Sequence, residues 1–320
     1  GPWKTPEHDG GEYETVGSFT AYVLNEDVDC AVHCGYLCNE LGIDTISTGA
    51  VIGFLFECAE KGLVSLEAGG GLDLSWGNGA VLPRLVEMIA LREGIGDILA
   101  DGVRRAAETI GGGAERFAVH VKGLEGPCHD PRAGKTLAVS YGTGNRGMCH
   151  IHPLETVAYD CSHTDFGLIP FGLPDPNQFG RWDEEGKGEA TRILQDGGAL
   201  PDILGTCKFY MYVGITPKEY AAMLSALTGW KVTGEELLGA AERVTNLQRL
   251  FNCREGFGRE QDRLPDRARS LPAFGKYAGS PESAVRNYDL MLDEYYDARG
   301  WDRKTGAPLE ETLLRLGIEG

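Results

Sequence analysis

The residues best suited to chemistry are spread along the whole chain. Near its start, Gly10-Gly11-Glu12-Tyr13-Glu14-Thr15 places two carboxylates just ahead of the first strongly periodic segment. In water such groups are ordinary loop charges; buried in a pocket, a carboxylate has its pKa raised and serves as a general base. Midway, Tyr141-Gly142-Thr143-Gly144-Asn145-Arg146-Gly147-Met148-Cys149-His150 gathers Asn, Arg and His on a glycine-rich turn that allows close backbone approach to a ligand. His150 has the acidity to hold or move a proton near neutral pH, although a lone histidine also serves structural ends. The turn lacks the Lys-Ser/Thr pair entering a helix that a phosphate-binding P-loop requires.

Two further segments share a shape. Asn39-Glu40-Leu41-Gly42-Ile43-Asp44 ends one helix and turns into Thr45-Ile46-Ser47-Thr48-Gly49 at the start of another. Asp44, Thr45 and Ser47 offer acceptors and hydroxyls where backbone N–H groups are also free, suiting either an anionic cofactor or simple helix capping. Asp202-Ile203-Leu204-Gly205-Thr206-Cys207 repeats the pattern and ends on a thiol. Two such elements could clamp the two sides of one elongated polar cofactor.

The nine cysteines (30, 34, 38, 58, 128, 149, 161, 207 and 253) are scattered over a chain of 320 residues, unlike a small disulfide scaffold, so a reducing, cytoplasmic setting fits best. Cys30, Cys34 and Cys38 resemble a cluster-binding run at first sight. On a helix, however, they form one stripe about 12 Å long at 1.5 Å per residue. Compact metal sites draw sulfurs together with tighter spacings, commonly in loops, so the stripe reads as packing.

These side chains need a frame, and the frame is read as mainly α. Apolar residues recur at helical spacing over residues 26–41, 50–61, 80–92, 96–110, 218–227, 234–252 and 281–296, while strand signals are confined to a short segment at 118–121. Residues 117–147 and 171–188 have the Gly- and Pro-rich texture of loops, the second suited to a long lid or surface loop. The length suits two helical lobes, placed at 1–118 and 119–320. A net charge of −18 disfavours nucleic acid and anionic membrane surfaces as partners. No stretch approaches the roughly 20 apolar residues of a membrane span, and the first residues lack a signal-peptide pattern, so the expectation is a soluble protein that is not secreted.

In order along the chain, GGEYET, LCNELGIDTISTG, ECAEKGL, REGIGDILADGVRRAAE, VKGLEGPCHDPR, GTGNRGMCH, DILGTC and NLQRLFNCREGFGREQDRLP resemble the aldehyde:ferredoxin oxidoreductase family of tungsten enzymes. The resemblance runs from about Gly10 to the C-terminal LRLGIEG and is weakest between Pro153 and Gly198. It implies the two helical C-terminal domains of that family. It also implies tungsten, or molybdenum, between two pyranopterins, a [4Fe–4S] cluster, ferredoxin as electron partner, and oxidation of an aldehyde to a carboxylic acid with water as the oxygen source. By position, Glu14 matches the active-site glutamate, a general base, and His150 the active-site histidine, which orients or protonates the substrate oxygen. Asn39 to Asp44 matches one pterin-binding motif and Asp202, Gly205 and Thr206 the other, while Cys207 matches the fourth cluster ligand.

The departures from the family pattern are specific. Position 39 is Asn where the family usually has Asp, keeping an acceptor but losing the charge, and Thr206 replaces the usual Leu before the cluster cysteine. The family's C-x2-C-x3-C cluster motif and its N-terminal pterin-binding domain precede the segment resembling GGEYET, so both cofactors are expected to be incomplete in this chain alone, with the missing domain supplied in cis or in trans. Two alternatives remain open: a non-catalytic fragment, split subunit or helical interaction module, and a relative with a non-aldehyde substrate such as an aromatic acyl-thioester reductase. In the latter, the His150-Ile151-His152-Pro153 run and Asp160 to Asp165 would be pocket residues.

Overall fold

The computed structural model describes residues 2–7, 10–151 and 156–318. The chain is helical almost throughout and divides into two compact units, Gly1–His129 and Asp130–Gly320.

The first unit holds α1 (Tyr13–Phe19), α2 (Val28–Leu41), α3 (Thr45–Glu60), α4 (Leu82–Leu91), α5 (Ile95–Leu99) and α6 (Gly102–Ile110). It ends in a hairpin of β1 (His120–Val121) and β2 (Leu124–Glu125), antiparallel with His120 opposite Glu125. Each principal helix start has a local cause. The Asp27 carboxylate accepts the Cys30 N–H at 3.0 Å to begin α2, and Asp44 accepts the Ser47 N–H at 2.7 Å to begin α3. Both α2 and α3 bury their apolar residues in the unit's core, with Phe19, Val51, Ile52, Leu55, Phe56, Leu82, Leu85 and Val86 among its members. Cys30, Cys34 and Cys38 belong to this core, as the packing reading expected. No single helix among the described residues is long and apolar enough to cross a membrane; α2 and α3 have the apolar length only as a pair, and they are bent by 118°.

The segment expected as one helix at 96–110 is two, α5 and α6, because the buried Glu125 carboxylate caps a new helix start. Glu125 Oε1 accepts the Val103 N–H at 2.7 Å, and Oε2 accepts the Ser47 hydroxyl at 2.8 Å. Those bonds fasten residues 119–125 to α3 and α6, so the two compact units divide at 129/130, beyond the 118/119 boundary that the change of sequence texture suggested.

The second unit comprises α7 (Lys135–Thr143), α8 (Val157–Asp160), α9 (Lys187–Leu204), α10 (Phe209–Tyr212), α11 (Pro217–Thr228), α12 (Gly234–Arg254), α13 (Asp266–Arg269), α14 (Tyr288–Arg299) and α15 (Glu310–Leu316). One core joins Tyr159, Phe166, Leu168, Ile193, Leu194, Leu200, Tyr220 and Leu237. Buried charges also tie helices together. Arg299 of α14 reaches Asp196 of α9 at 2.5 Å and the Gln195 side-chain oxygen at 2.9 Å. Arg249 of α12 pairs with Asp262 at 2.9 Å, and the Tyr296 hydroxyl of α14 donates to the same carboxylate at 2.5 Å. Breaking such a pair from one side leaves a buried charge uncompensated and costs about 3–5 kcal/mol. The stretch 117–147, loop-like in sequence, contains α7, whose residues are buried on every face and so show no amphipathic period.

Candidate active site

Glu14 is the second residue of α1, a short helix begun by Glu12, whose side chain accepts the Glu14 N–H at 2.8 Å. The helix turns Glu14 inward, where its carboxylate is buried. Oε2 accepts the Cys128 N–H at 2.7 Å, and Oε1 lies 2.5 Å from His129 Nδ1. The chain at 126–129 is held in place from two sides: the Tyr22 hydroxyl donates to the Gly126 carbonyl at 2.5 Å, and Gly17 of α1 leaves room for the Cys128 side chain, since a Cβ there would sit 2.6 Å from its Sγ. Tyr13 places its ring 5.3 Å from the His129 imidazole.

The neighbours of Glu14 are held neutral. Burial pushes the Cys128 thiol up to about 11, partly offset by a hydrogen bond with Tyr22. Burial also raises the Tyr22 phenol, and raises Tyr13 together with the charges of Glu14 and Cys128. A carboxylate held by one backbone donor beside an imidazole, among phenols and a thiol that keep their protons, is placed where it can accept a proton.

The 39–45 turn lies beside α1 in the same unit, because the Thr15 and Thr45 hydroxyls are 3.0 Å apart. Asn39 and Asp44 are both exposed. The Asp44 carboxylate caps α3 through the Ser47 N–H, so one of its oxygens is engaged in holding the helix start. Gly42 closes α2 in the left-handed region with φ 72° and ψ 36°. Gly205 closes α9 with φ 68° and ψ 36°, so the two turns that look alike in sequence have the same backbone. The same conformation also ends α15 at Gly317, so it is helix-ending geometry before it is a binding motif. At both Gly42 and Gly205 nothing stands within 4 Å of where a Cβ would be, leaving the convex side of each turn open to a ligand.

In the second unit, His150 follows the glycine-rich turn that leaves α7. Asn145 secures that turn to α12: its side-chain N–H donates to the Thr245 carbonyl at 3.1 Å, and its own carbonyl accepts from Asn252 at 2.7 Å. Asn145 and Asp202 line one small cavity of about 40 Å³ with Thr143, Gln195 and Gln248, which brings the 141–150 turn and the 202–207 turn together. Lys208, its pKa lowered by burial, reaches across the second turn to the Gly198 carbonyl at 2.7 Å and the Asp202 carboxylate at 2.6 Å. Thr206 donates its backbone N–H to the Pro201 carbonyl at 2.9 Å, which delivers Cys207 to the surface.

An exposed thiol just past a helix end suits an iron–sulfur ligand, and Cys207 is the one exposed cysteine among the described residues. The Cys30, Cys34 and Cys38 thiols are sealed in the core, with burial pushing Cys38 up to about 12, and do not fit that task. Cys207 therefore fits one corner of a cluster, and the polar groups of the 39–44 and 202–206 turns fit the edge of a polar cofactor. Asp160 is fully buried, 2.5 Å from Lys187 Nζ, and accepts the Thr136 N–H at 2.9 Å, while the stretch it begins does border a cavity: Asp160, Cys161, Ser162 and His163 line an open cleft of about 530 Å³ with Gln178 and Arg181. His152 and Pro153 lie outside the described residues. Sequence reading gave no role to Cys128 and His129; the only signal for them was an adjacent thiol and imidazole inside GPCHDPR.

Comparison with known proteins supplies the family. A family model for aldehyde ferredoxin oxidoreductase, domains 2 & 3, matches residues 1–318. The tungsten-containing aldehyde ferredoxin oxidoreductase of Pyrococcus furiosus is 35% identical over 318 residues, covering 98% of this chain and 49% of that protein. The corresponding protein of Thermococcus kodakarensis is 35% identical over 312 residues, covering 97% and 49%. The WOR-like subunit of an aliphatic sulfonate oxidoreductase from Pyrococcus furiosus is 28% identical over 330 residues. The chain thus spans about half the length of the curated relatives it matches. In fold, it superposes with a TM-score of 0.76 and 24% identity on a chain of the active-site complex BamBC of benzoyl coenzyme A reductase with 1,5-dienoyl-CoA, covering 98% of this chain and 50% of that one. The chain belongs to the aldehyde ferredoxin oxidoreductase family.

Proposed function

We propose that this chain works within a tungsten- or molybdenum-pterin oxidoreductase that oxidises aldehydes to carboxylic acids and passes electrons to ferredoxin, in a cytoplasmic setting. The observation that carries this reading is Glu14, a buried carboxylate held by the Cys128 N–H and His129 at the position where the family resemblance puts a general base. The bis-pyranopterin metal and the [4Fe–4S] cluster supply the two-electron oxidation and its onward one-electron transfer. Glu14 takes the proton from the water or hydrate that becomes the acid's oxygen, and the fixed Cys128 N–H keeps the carboxylate oriented between turnovers. His150 orients the substrate oxygen or hands it a proton. Asn39, Asp44, Asp202, Gly205 and Thr206 would hold the pterins, and Cys207 would supply one cluster thiolate. The remaining thiolates and the rest of the pterin site come from a domain outside these residues.

The test uses the complete protein. Glu14→Gln and His150→Ala are each expected to lower turnover by about 10²–10⁴-fold with tungsten content near normal, and Cys207→Ala to lower cluster iron. Undiminished turnover in both site variants removes their catalytic assignment. Metal and acid-labile sulfur analysis of this chain alone addresses incompleteness, since an intact cluster bound to these residues by themselves contradicts it. The similarity to the aliphatic sulfonate oxidoreductase subunit favours one second reading, a related oxidation of a non-aldehyde substrate, and assay of the complete protein against aldehydes and sulfonates separates the two.

A further inference from the structure

We infer that Lys208 is a positioning residue for both cofactor-facing groups of the 202–207 turn: its side chain folds back onto α9, sets the direction of the Asp202 carboxylate and holds the backbone that presents Cys207. The inference rests on the reading in which Cys207 is a cluster ligand and Asp202 a pterin contact, and Lys208 acts only through these two.

The end of α9 is built so that it needs such a brace. Pro201 brings no N–H to its last turn, which also carries no basic residue to meet the C-terminal carbonyls. Two successive N–H groups, those of Gly205 and Thr206, converge on the single Pro201 carbonyl, the second at 2.9 Å. Beyond Cys207 the chain is caught again: the Cys207 carbonyl accepts the Tyr210 N–H at 3.2 Å, and Met211 of α10 is buried in the core of the second unit. Cys207 is therefore an exposed link between two anchored stretches. Lys208 spans them from the side. Its Nζ donates to the Gly198 carbonyl at 2.7 Å and to Asp202 Oδ2 at 2.6 Å, so one ammonium grips α9 at two points about a turn apart. The Lys208 side chain is 13% exposed and that of Asp202 39%, which puts the lysine on the inner side of the pair and the carboxylate toward the surface. The same contact thus supplies the cation that the helix end lacks, orients an acid and closes the loop that carries the thiol.

The test uses the complete protein. Prepared without iron, so that a cluster does not mask the effect, Lys208→Met is expected to speed hydrogen exchange at the Gly205 and Thr206 amides by about 10-fold, with Ile193 and Leu194 in the buried part of α9 unchanged. A residue that only stabilises the unit would speed all four together, so equal acceleration at Ile193 and Leu194 overturns the inference. Wild-type exchange at Gly205 and Thr206 does so too. Asp202→Ala is expected to give part of the same acceleration and to add little on top of Lys208→Met, whereas additive effects would deny that the two side chains act as one brace. Prepared with iron, Lys208→Met is expected to lose cluster iron and acid-labile sulfide with Cys207 intact, though less than Cys207→Ala does. Full iron in Lys208→Met beside lost iron in Cys207→Ala removes the positioning role and leaves the ligand assignment standing. Full iron in Cys207→Ala removes the ligand assignment itself.

Discussion

Glu125 shows how much of the site depends on residues that perform no chemistry. Its two oxygens satisfy the Val103 N–H and the Ser47 hydroxyl, and the strand it sits on leads directly into Gly126 and Cys128. Glu125→Ala leaves buried donors without acceptors, at about 1–3 kcal/mol for each. It is expected to destabilise the first unit by about 2–4 kcal/mol in urea titrations, and a loss under 0.5 kcal/mol would contradict the capping role. Lys135 makes a pH-dependent prediction in the second unit. Its ammonium is buried against the Ser283 and Ala284 carbonyls, both at 2.7 Å, and burial lowers its pKa from 10.5 to about 8. A lysine with a depressed folded pKa binds fewer protons folded than unfolded, so its stabilising contribution is present above 10.5 and is lost as pH falls through about 8. Relative to Lys135→Met, the wild type is expected to gain on the order of 1–3 kcal/mol between pH 8 and pH 10.5, read from paired melts. At this scale the sequence showed the carboxylates of GGEYET, but neither the burial of Glu14 nor its approach to His129. Nothing in the local pattern tells that residue 129 returns to residue 14, because that contact is made by tertiary structure alone.

Among the elements, legibility followed amphipathicity and capping. The reading of 26–41 closed by Gly42 matches α2, and 234–252 matches most of α12, whose Thr233 and Glu236 form a reciprocal cap. The missed helices are the short ones and two central ones, α7 and α9, of which α9 is the longest. α9 begins at Lys187-Gly188 without a capping side chain, carries Gly197, Gly198 and Pro201, and buries both flanks, so its composition argues against a helix while its neighbours enforce one. Its glycines are contact surfaces: a Cβ on Gly188 would lie 2.4 Å from the Met291 carbonyl and 2.4 Å from the Tyr295 nitrogen of α14. Backbone cannot yield as a flexible side chain does, so Gly188→Ala is expected to cost about 2–4 kcal/mol although alanine is the better helix former, with thermal melts as the check. A neutral or stabilising outcome there would mean that α9 and α14 are not packed this closely.

At the scale of the molecule, each unit has its own buried core, and the contacts of Glu14 with Cys128 and His129 lie inside the first. Residues 1–129 produced alone are therefore expected to fold with a cooperative melt, whereas a non-cooperative melt would show that this core does not suffice. The mainly α class was legible because it depends on average periodicity. The division at 129 was not, because it depends on which helices the Glu125 carboxylate fastens. The hydrogen bond from Cys128 to Glu14 joins residues 114 positions apart, nearly the whole length of the unit. Closing a loop of that size costs about 4 kcal/mol of chain entropy, and the cost falls due before the bond can form. During synthesis, the carboxylate cannot take up its buried position until the segment after β2 has left the ribosome and folded back, so this end of the unit is among its last parts to be assembled.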